Sequence, residues 1–245
     1  MILTSESPLC SVIIPARNEE KTLPRSVAAI RSSAELAGAR VEIVVVVNRC
    51  SDNTEKIAQE LGCTVVHAEE KNLAMIRNRG ARACTGEILI TVDADSLVSS
   101  NMFTIILEKL SSTSCIGGGV LILPDRWSLG ILATGLLILP LVLWYQVSCG
   151  LFFVRRQDFF AIGGFNEEMS SVEDIDFARR LKAYGKRSGR YYANLFRACI
   201  VTSARKFDHF GDWYFVRHPR MLIELLKGKN QRYSDMVWYD WESKK

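Results

Sequence analysis

Over the first ninety-odd positions, apolar residues come in short β-branched bursts separated by segments with a wider, helical spacing. The runs at 10–14, 41–47, 64–67 and 87–92 each predict a buried strand. Between the first two, Leu23, Val27, Ile30 and Ala34 recur every three or four residues, and Ile57, Ala58 and Leu61 do the same before the third. Parallel neighbours need long crossovers, whereas antiparallel ones can use tight turns. The alternation therefore predicts an α/β fold built on a mostly parallel, doubly wound sheet with helices on both faces. Ligands of such sheets bind beyond the carboxyl ends of the strands.

The second half is less regular. Gly117, Gly118 and Gly119 lead into a strand at 120–123, residues 149–154 predict another, a helix is expected over 173–184, and 191–203 reads as a strand with a weak centre. Residues 129–147 carry no formal charge, close to the length that spans a bilayer. Gly135 and Pro140 argue against one straight helix there. The tail interleaves Trp213, Trp238 and Trp241 with basic residues.

At 245 residues and 48% apolar composition, one domain over 1–245 is expected, and no Pro/Gly/Ser-rich linker divides it. The formal charge is only +4, with acids and bases mixed along the chain, which argues against a dedicated nucleic-acid binder. Attraction to phosphate-bearing ligands or an anionic membrane surface stays open. The seven cysteines form no C-x-x-C pair, so free thiols in a reducing, cytoplasmic compartment are expected. The first ten residues lack a basic segment followed by an apolar stretch, so no secretory signal is expected.

Three places carry candidate chemistry. Asp93-Ala94-Asp95 stands where the fourth strand runs out, and two carboxylates one residue apart there suit a hard divalent cation; an ordinary acidic turn is the alternative. Glu173-Asp174 precedes the amphipathic residues Phe177, Ala178, Leu181 and Tyr184. Ser170 or Ser171 three residues upstream of an acid also matches a helix capping box. Loops 15–20 and 48–54 follow the first two strands, where a ligand or a plain helix start would both be at home.

In order and spacing these blocks resemble the inverting glycosyltransferases of family 2, with the GT-A fold, over about residues 10–205. Residues 11–20 look like the family's opening strand and nucleotide loop, 51–54 like its second loop, and Ile76 to Gly80 like its Arg-Asn block. Asp93-Ala94-Asp95 matches its metal motif, 163–167 its acceptor-side turn, and Glu173-Asp174 its catalytic acidic pair. The resemblance implies that Asp174, beside Glu173, acts as general base. It places Pro15, Arg17, Glu19, Asn48, Arg77 and Asp93 on the donor side, with Glu19 holding the nucleoside and Arg77 meeting the diphosphate. Asp95 and Asp93 would anchor Mg2+ or Mn2+, and late His209 would be a further ligand, with a surface or core histidine as the alternative. Arg205 and Lys206 are candidates to touch the diphosphate. Arg17 stands where many members have an aromatic residue and Asn48 where an aspartate commonly reads the base, so uridine, guanosine and other nucleotides all stay open.

The same resemblance implies a nucleotide-sugar-binding half (10–98), an acceptor-side half (99–205) and a basic aromatic tail (206–245). Asp95 and Asp174 can share a site only on one side of a membrane, so the stretch at 129–147, lying between them, is not expected to cross once. It is expected to pack on the sheet or to present an apolar surface at the inner face of a membrane, which makes a lipid-linked acceptor a candidate. A catalytically silent sugar-nucleotide-binding module is the competing function, and a sugar nucleotidyltransferase a weaker one, because its Gly-rich basic phosphate loop is missing after the first strand.

Overall fold

The computed structural model describes residues 9–145 and 150–239. Strand and helix alternate through the first half: β1 (Cys10–Ala16), α1 (Leu23–Leu36), β2 (Val41–Asn48), α2 (Thr54–Glu60), β3 (Thr64–Ala68), α3 (Leu73–Ala83) and β4 (Ile88–Thr91). β5 (Ser96–Val98), α4 (Met102–Ser111) and β6 (Cys115–Pro124) follow, then α5 (Leu129–Tyr145), β7 (Phe152–Arg155), α6 (Arg156–Ala161), α7 (Glu173–Arg187) and β8 (Tyr191–Thr202). The tail forms α8 (Arg205–Phe210), α9 (Tyr214–Arg217), α10 (Pro219–Leu226) and α11 (Gln231–Trp238).

One eight-stranded sheet has the order β3-β2-β1-β4-β7-β6-β8-β5. The expected parallel core is the run β3-β2-β1-β4. The second half makes the sheet mixed, since β7 runs antiparallel between β4 and β6, β8 lies parallel to β6, and β5 antiparallel to β8. The weak centre of β8 is a slip in register: Val120 faces Leu195, but Leu121 faces Cys199.

Because side chains alternate along a strand, each face of the sheet buries its own cluster. Val12, Ile14 and Val45 pack with Leu23, Val27 and Ile30 of α1 and with Phe103 and Ile106 of α4. On the other face, Ile13, Val44 and Val46 meet Ile76 of α3 and the aromatics Phe152, Phe159, Phe165 and Phe177. Each such fully buried side chain contributes about 1.5–3 kcal/mol, so helices lie on both faces for energetic reasons. Gly80 lets α3 sit close on the sheet, since a Cβ there would fall 2.6 Å from Ile13.

Contrary to the sequence expectation, α5 continues through Gly135 and Pro140. Proline removes one intrahelical bond, to the carbonyl of Leu136, a residue that is itself exposed. Among the described residues no helix is long and apolar enough to cross a membrane. Val147, Cys149 and Trp241 lie outside the described residues.

Candidate functional site

β1 and β2 end side by side, and each turns into a loop through a non-glycine residue with positive φ, Asn18 (53°) and Arg49 (53°). Such backbone costs about 1–3 kcal/mol and persists only where the surroundings fix it. Here the loops fix each other. Ser51 N donates to Asn18 Oδ1 (2.8 Å), Glu19 N to Thr54 Oγ1 (2.7 Å) and Glu20 N to Asp52 Oδ2 (3.1 Å). The helix-start reading of Pro15 to Glu20 is not what forms, since α1 begins at Leu23 and Thr22 makes no side-chain cap. Instead, the buried Glu19 carboxylate accepts from Thr22 and Arg205. Pro15 stays within β1, opposite Val46.

Asn48, the last residue of β2, spends both amide hydrogens on the carbonyls of Ala68 (2.8 Å) and Glu70 (3.0 Å). These bonds orient the amide and leave its buried Oδ1 without a hydrogen-bond partner among the described residues. An acceptor is thus left over beside the two loops, with no donor to spare.

β4 delivers Asp93 and Asp95 to the same end of the sheet, with Ala94 buried between them. β5 follows at once and pairs Ser96 with Thr202, which carries Asp95 to the end of β8 and the start of α8. Arg205, first in α8, therefore reaches two acids from the other half of the chain. It forms a two-pronged pair with Glu19 and lies 3.3 Å from Asp95. Burial pushes the Asp95 and Glu19 carboxyls above the usual carboxylate range, although Arg205 opposes it in both. Burial likewise pushes the Lys206 ammonium down to about 8, with Asp95 and Asp93 opposing.

Arg77 ties the two acidic clusters together. It projects from α3, is only 4% exposed, and donates Nη1 to Glu173 (2.6 Å) and Nη2 to Asp93 (2.9 Å), with Phe165 under its guanidinium. In the structure it stands between the two acids, beside the Asp93 carboxylate. Its neighbour Asn78 joins the same halves by donating to Phe165 O and Glu167 Oε1 and accepting from Phe165 N. That turn bends through Gly164 (φ 67°), where a Cβ would come within 2.5 Å of Asn78 Oδ1.

Glu173 and Asp174 open α7, but not through a capping box. The N-cap is Val172 at φ 52°, strained for a β-branched residue, and it makes no side-chain cap. Ser170 and Ser171 turn their hydroxyls away, to the carbonyls of Gly228 and Leu225. The acids sit in the first turn of α7, where the helix dipole favours their charge. Burial nevertheless raises both carboxyls, with Arg77 opposing. The tail closes over this corner: Ser234 bonds Ser170 O, Gln231 reaches Lys71 O, and the Arg17 guanidinium lies over the ring of Tyr239 at 5.1 Å. The role of the tail was invisible in its sequence, where aromatic and basic residues alone do not name their partners.

The donor set fits a hard cation. Asp95 and the half-exposed Asp93 offer carboxylate oxygens one residue apart, leaving other positions to phosphate and water, as Mg2+ prefers. Among the described residues no group of three His, Cys, Asp or Glu side chains is placed to hold an ion, so His209 does not join Asp93 and Asp95. It is exposed on α8 with its ring against Phe210.

Comparison with known proteins places this arrangement. The sequence model described as Glycosyl transferase family 2 matches residues 11–129. The 4,4'-diaponeurosporenoate glycosyltransferase of Staphylococcus haemolyticus is 37% identical over 92 residues, 35% of this chain and 24% of that protein. The dolichol-phosphate mannosyltransferase of Pyrococcus furiosus is 31% identical over 114 residues, 44% of this chain and 32% of that one. The chain thus spans a third or less of the length of these two relatives. The mannosyltransferase PcManGT of Pyrobaculum calidifontis, solved with GDP-Man and Mn2+, superposes with a TM-score of 0.61 at 17% identity, over 88% of this chain and 67% of its own. At that identity the likeness establishes the fold, which is GT-A.

Proposed function

We propose, from the membership of residues 11–129 in glycosyl transferase family 2, that this chain moves a sugar from a nucleotide-diphosphate donor to an acceptor hydroxyl with inversion at the anomeric carbon. The observation that carries the reading is the pair of hydrogen bonds that Arg77 donates, one to Asp93 and one to Glu173, which brings the strand-end acids and the helix-start acids to one place.

In this reading residues 10–98 hold the donor, with the nucleoside between the two stitched loops, against Arg17, Glu19 and Asn48. Asp95 and Asp93 would hold a divalent cation, whose charge when bound would offset that building on the leaving diphosphate. Arg205 and Lys206 stand beside the same carboxylates and add positive charge on that side. Asp174 takes the proton from the acceptor hydroxyl as that oxygen attacks, and burial, with Arg77 opposing, makes it a stronger base than an ordinary aspartate. Glu173, fixed by Arg77, orients this turn. The acceptor side falls to residues 99–205 and is assigned a lipid-linked acceptor at the inner face of a membrane, in keeping with the relative named for dolichol phosphate.

A thermal-shift screen of UDP-, GDP- and dTDP-sugars with and without Mn2+ tests this. A metal-dependent stabilisation is expected that Asp95→Ala abolishes. Asp174→Ala is expected to keep donor binding and lose transfer. No shift with any donor would remove the reading.

A further inference from the structure

Helix α5 is apolar on the side that faces away from the protein. Ile131 and Thr134 are buried against the fold, and Gly130 allows a close approach, since a Cβ there would fall 2.5 Å from the carbonyl of Asp212. Arg126 fixes the same end by a fork to Asp208 and Asp212. The opposite side, at three- and four-residue spacing, is Leu129, Leu132, Leu136 and Leu139, all exposed, with Leu129 at 75% and Leu136 at 67%. A helix with one side held by protein and the other side leucine has an unmet apolar face.

Two observations name its partner. Tryptophans mark both ends, Trp127 at 60% and Trp144 at 83% exposure. Trp127 lies two residues before α5 and Trp144 in its last turn, so the rings flank a helix whose 17 residues run about 25 Å at 1.5 Å per residue, as for a rod lying flat with amphipathic rings at the level of lipid headgroups. The adjoining segment is basic: α9 packs on α5, and residues 213–223 contain Arg217 and Arg220 but no acid. Both arginines are exposed and in no ion pair among the described residues, while the nearby acids Asp208 and Asp212 are paired with Arg126. A second copy of the chain on a two-fold axis would bring these arginines to the same interface, like charge to like. An anionic bilayer meets both needs at once, its acyl region taking the leucines and its headgroups the arginines.

We propose that the outer face of α5, together with Trp213, Arg217 and Arg220, seats the protein on the surface of an anionic lipid bilayer without crossing it. The docking stands on this geometry alone; that it presents the site to a lipid-borne acceptor rests on the transferase reading.

The full chain is tested by flotation with phosphatidylcholine vesicles, with and without phosphatidylglycerol. Binding is expected to the anionic vesicles and to weaken with salt. The double variant L132S/L136S is expected to lose at least about tenfold in affinity, since two leucines would no longer leave water. R217Q/R220Q is expected to weaken binding only where phosphatidylglycerol is present, and L36S, at an exposed leucine of α1, to leave it unchanged. Thermal melts establish that each variant is folded. Absence of flotation with either vesicle, or equal binding by L132S/L136S, overturns the proposal. So does a solution dimer that L132S/L136S dissociates, which gives the face to a second copy. Donor-dependent stabilisation measured on the same samples separates the two readings: donor binding without flotation sinks the docking alone, and flotation without donor binding sinks the transferase reading alone.

Discussion

Glu173 and Asp93 accept from the two terminal nitrogens of one guanidinium, Arg77, at 2.6 and 2.9 Å. Eighty residues separate them in the chain, and the sheet brings them together because β4 ends and α3 begins at the same edge, onto which α7 opens. The pair is asymmetric. Glu173 is buried, whereas the Asp93 side chain is 41% exposed and can fall back on water.

Removing Arg77 therefore strands mainly Glu173. R77M is expected to destabilise the fold by about 3 kcal/mol, in the range for breaking a buried pair. The double variant R77M/E173Q is expected to recover most of that loss, because the stranded charge is gone. Urea denaturation of the four proteins of the cycle measures it; equal stability of R77M and wild type would show that the bridge carries no weight.

Asp174 gives a prediction with a sign. Its carboxyl is raised by burial, so the folded state favours the protonated form. The stability this gives is fully present below the unfolded value of about 3.9 and is lost as pH rises through the higher folded value. D174N is accordingly expected to raise the melting temperature at pH 8, by about 2–4 °C per kcal/mol relieved, and to do little at pH 4. The same variant is expected to lose transfer. In the wild type, kcat/KM should climb with pH through that raised value, and an acid limb at the ordinary aspartate position would contradict the assignment.

Arg205 competes with any cation for Asp95. It lies 3.3 Å from that carboxylate while gripping Glu19. R205Q is expected to tighten Mn2+ binding to the donor-free protein several-fold, since the metal no longer displaces a resident charge, and to lower stability by about 1–3 kcal/mol through the stranded Glu19. Calorimetric titration with Mn2+ reads the first effect and thermal melting the second.

Much of this was legible because period carries information where elements are long. The four strands up to β4, helices α1 and α2, and the helix at α7 announce themselves by alternation or by three- and four-residue spacing. β5 and α8 to α11 are too short for a period to emerge, and they are the pieces that bring Thr202, Arg205 and Tyr239 to the site. The capping box failed for a physical reason. Ser170 and Ser171 match its local pattern, but the tail offers them the carbonyls of Gly228 and Leu225 from more than fifty residues away. The family resemblance puts Arg77 at the diphosphate; that two acids also converge on it is visible only in the fold. Asn78 and Gly164 were read as parts of separate motifs, and their contact is a property of the sheet order. G164A is expected to cost about 2 kcal/mol or more, because the new Cβ meets Asn78 Oδ1 and the backbone there has φ 67°.

Asn48 is where chemistry and recognition separate. Both of its amide hydrogens are committed to Ala68 O and Glu70 O, which fixes the orientation of the amide, and its buried Oδ1 accepts from nothing among the described residues. A buried acceptor without a partner costs about 1–3 kcal/mol, which a ligand N–H would recover. Every base offers such an N–H, on the ring in uracil, thymine and guanine and on the exocyclic amine in adenine and cytosine, so this acceptor rewards a bound base without choosing among them. N48A is expected to weaken UDP and GDP by about tenfold, the equivalent of 1.4 kcal/mol, while leaving inorganic pyrophosphate unchanged. The comparison with pyrophosphate matters because N48A also releases two structural bonds. A general loosening of the end of β2 would weaken both ligands together, and that outcome would take the base-reading role away from Asn48.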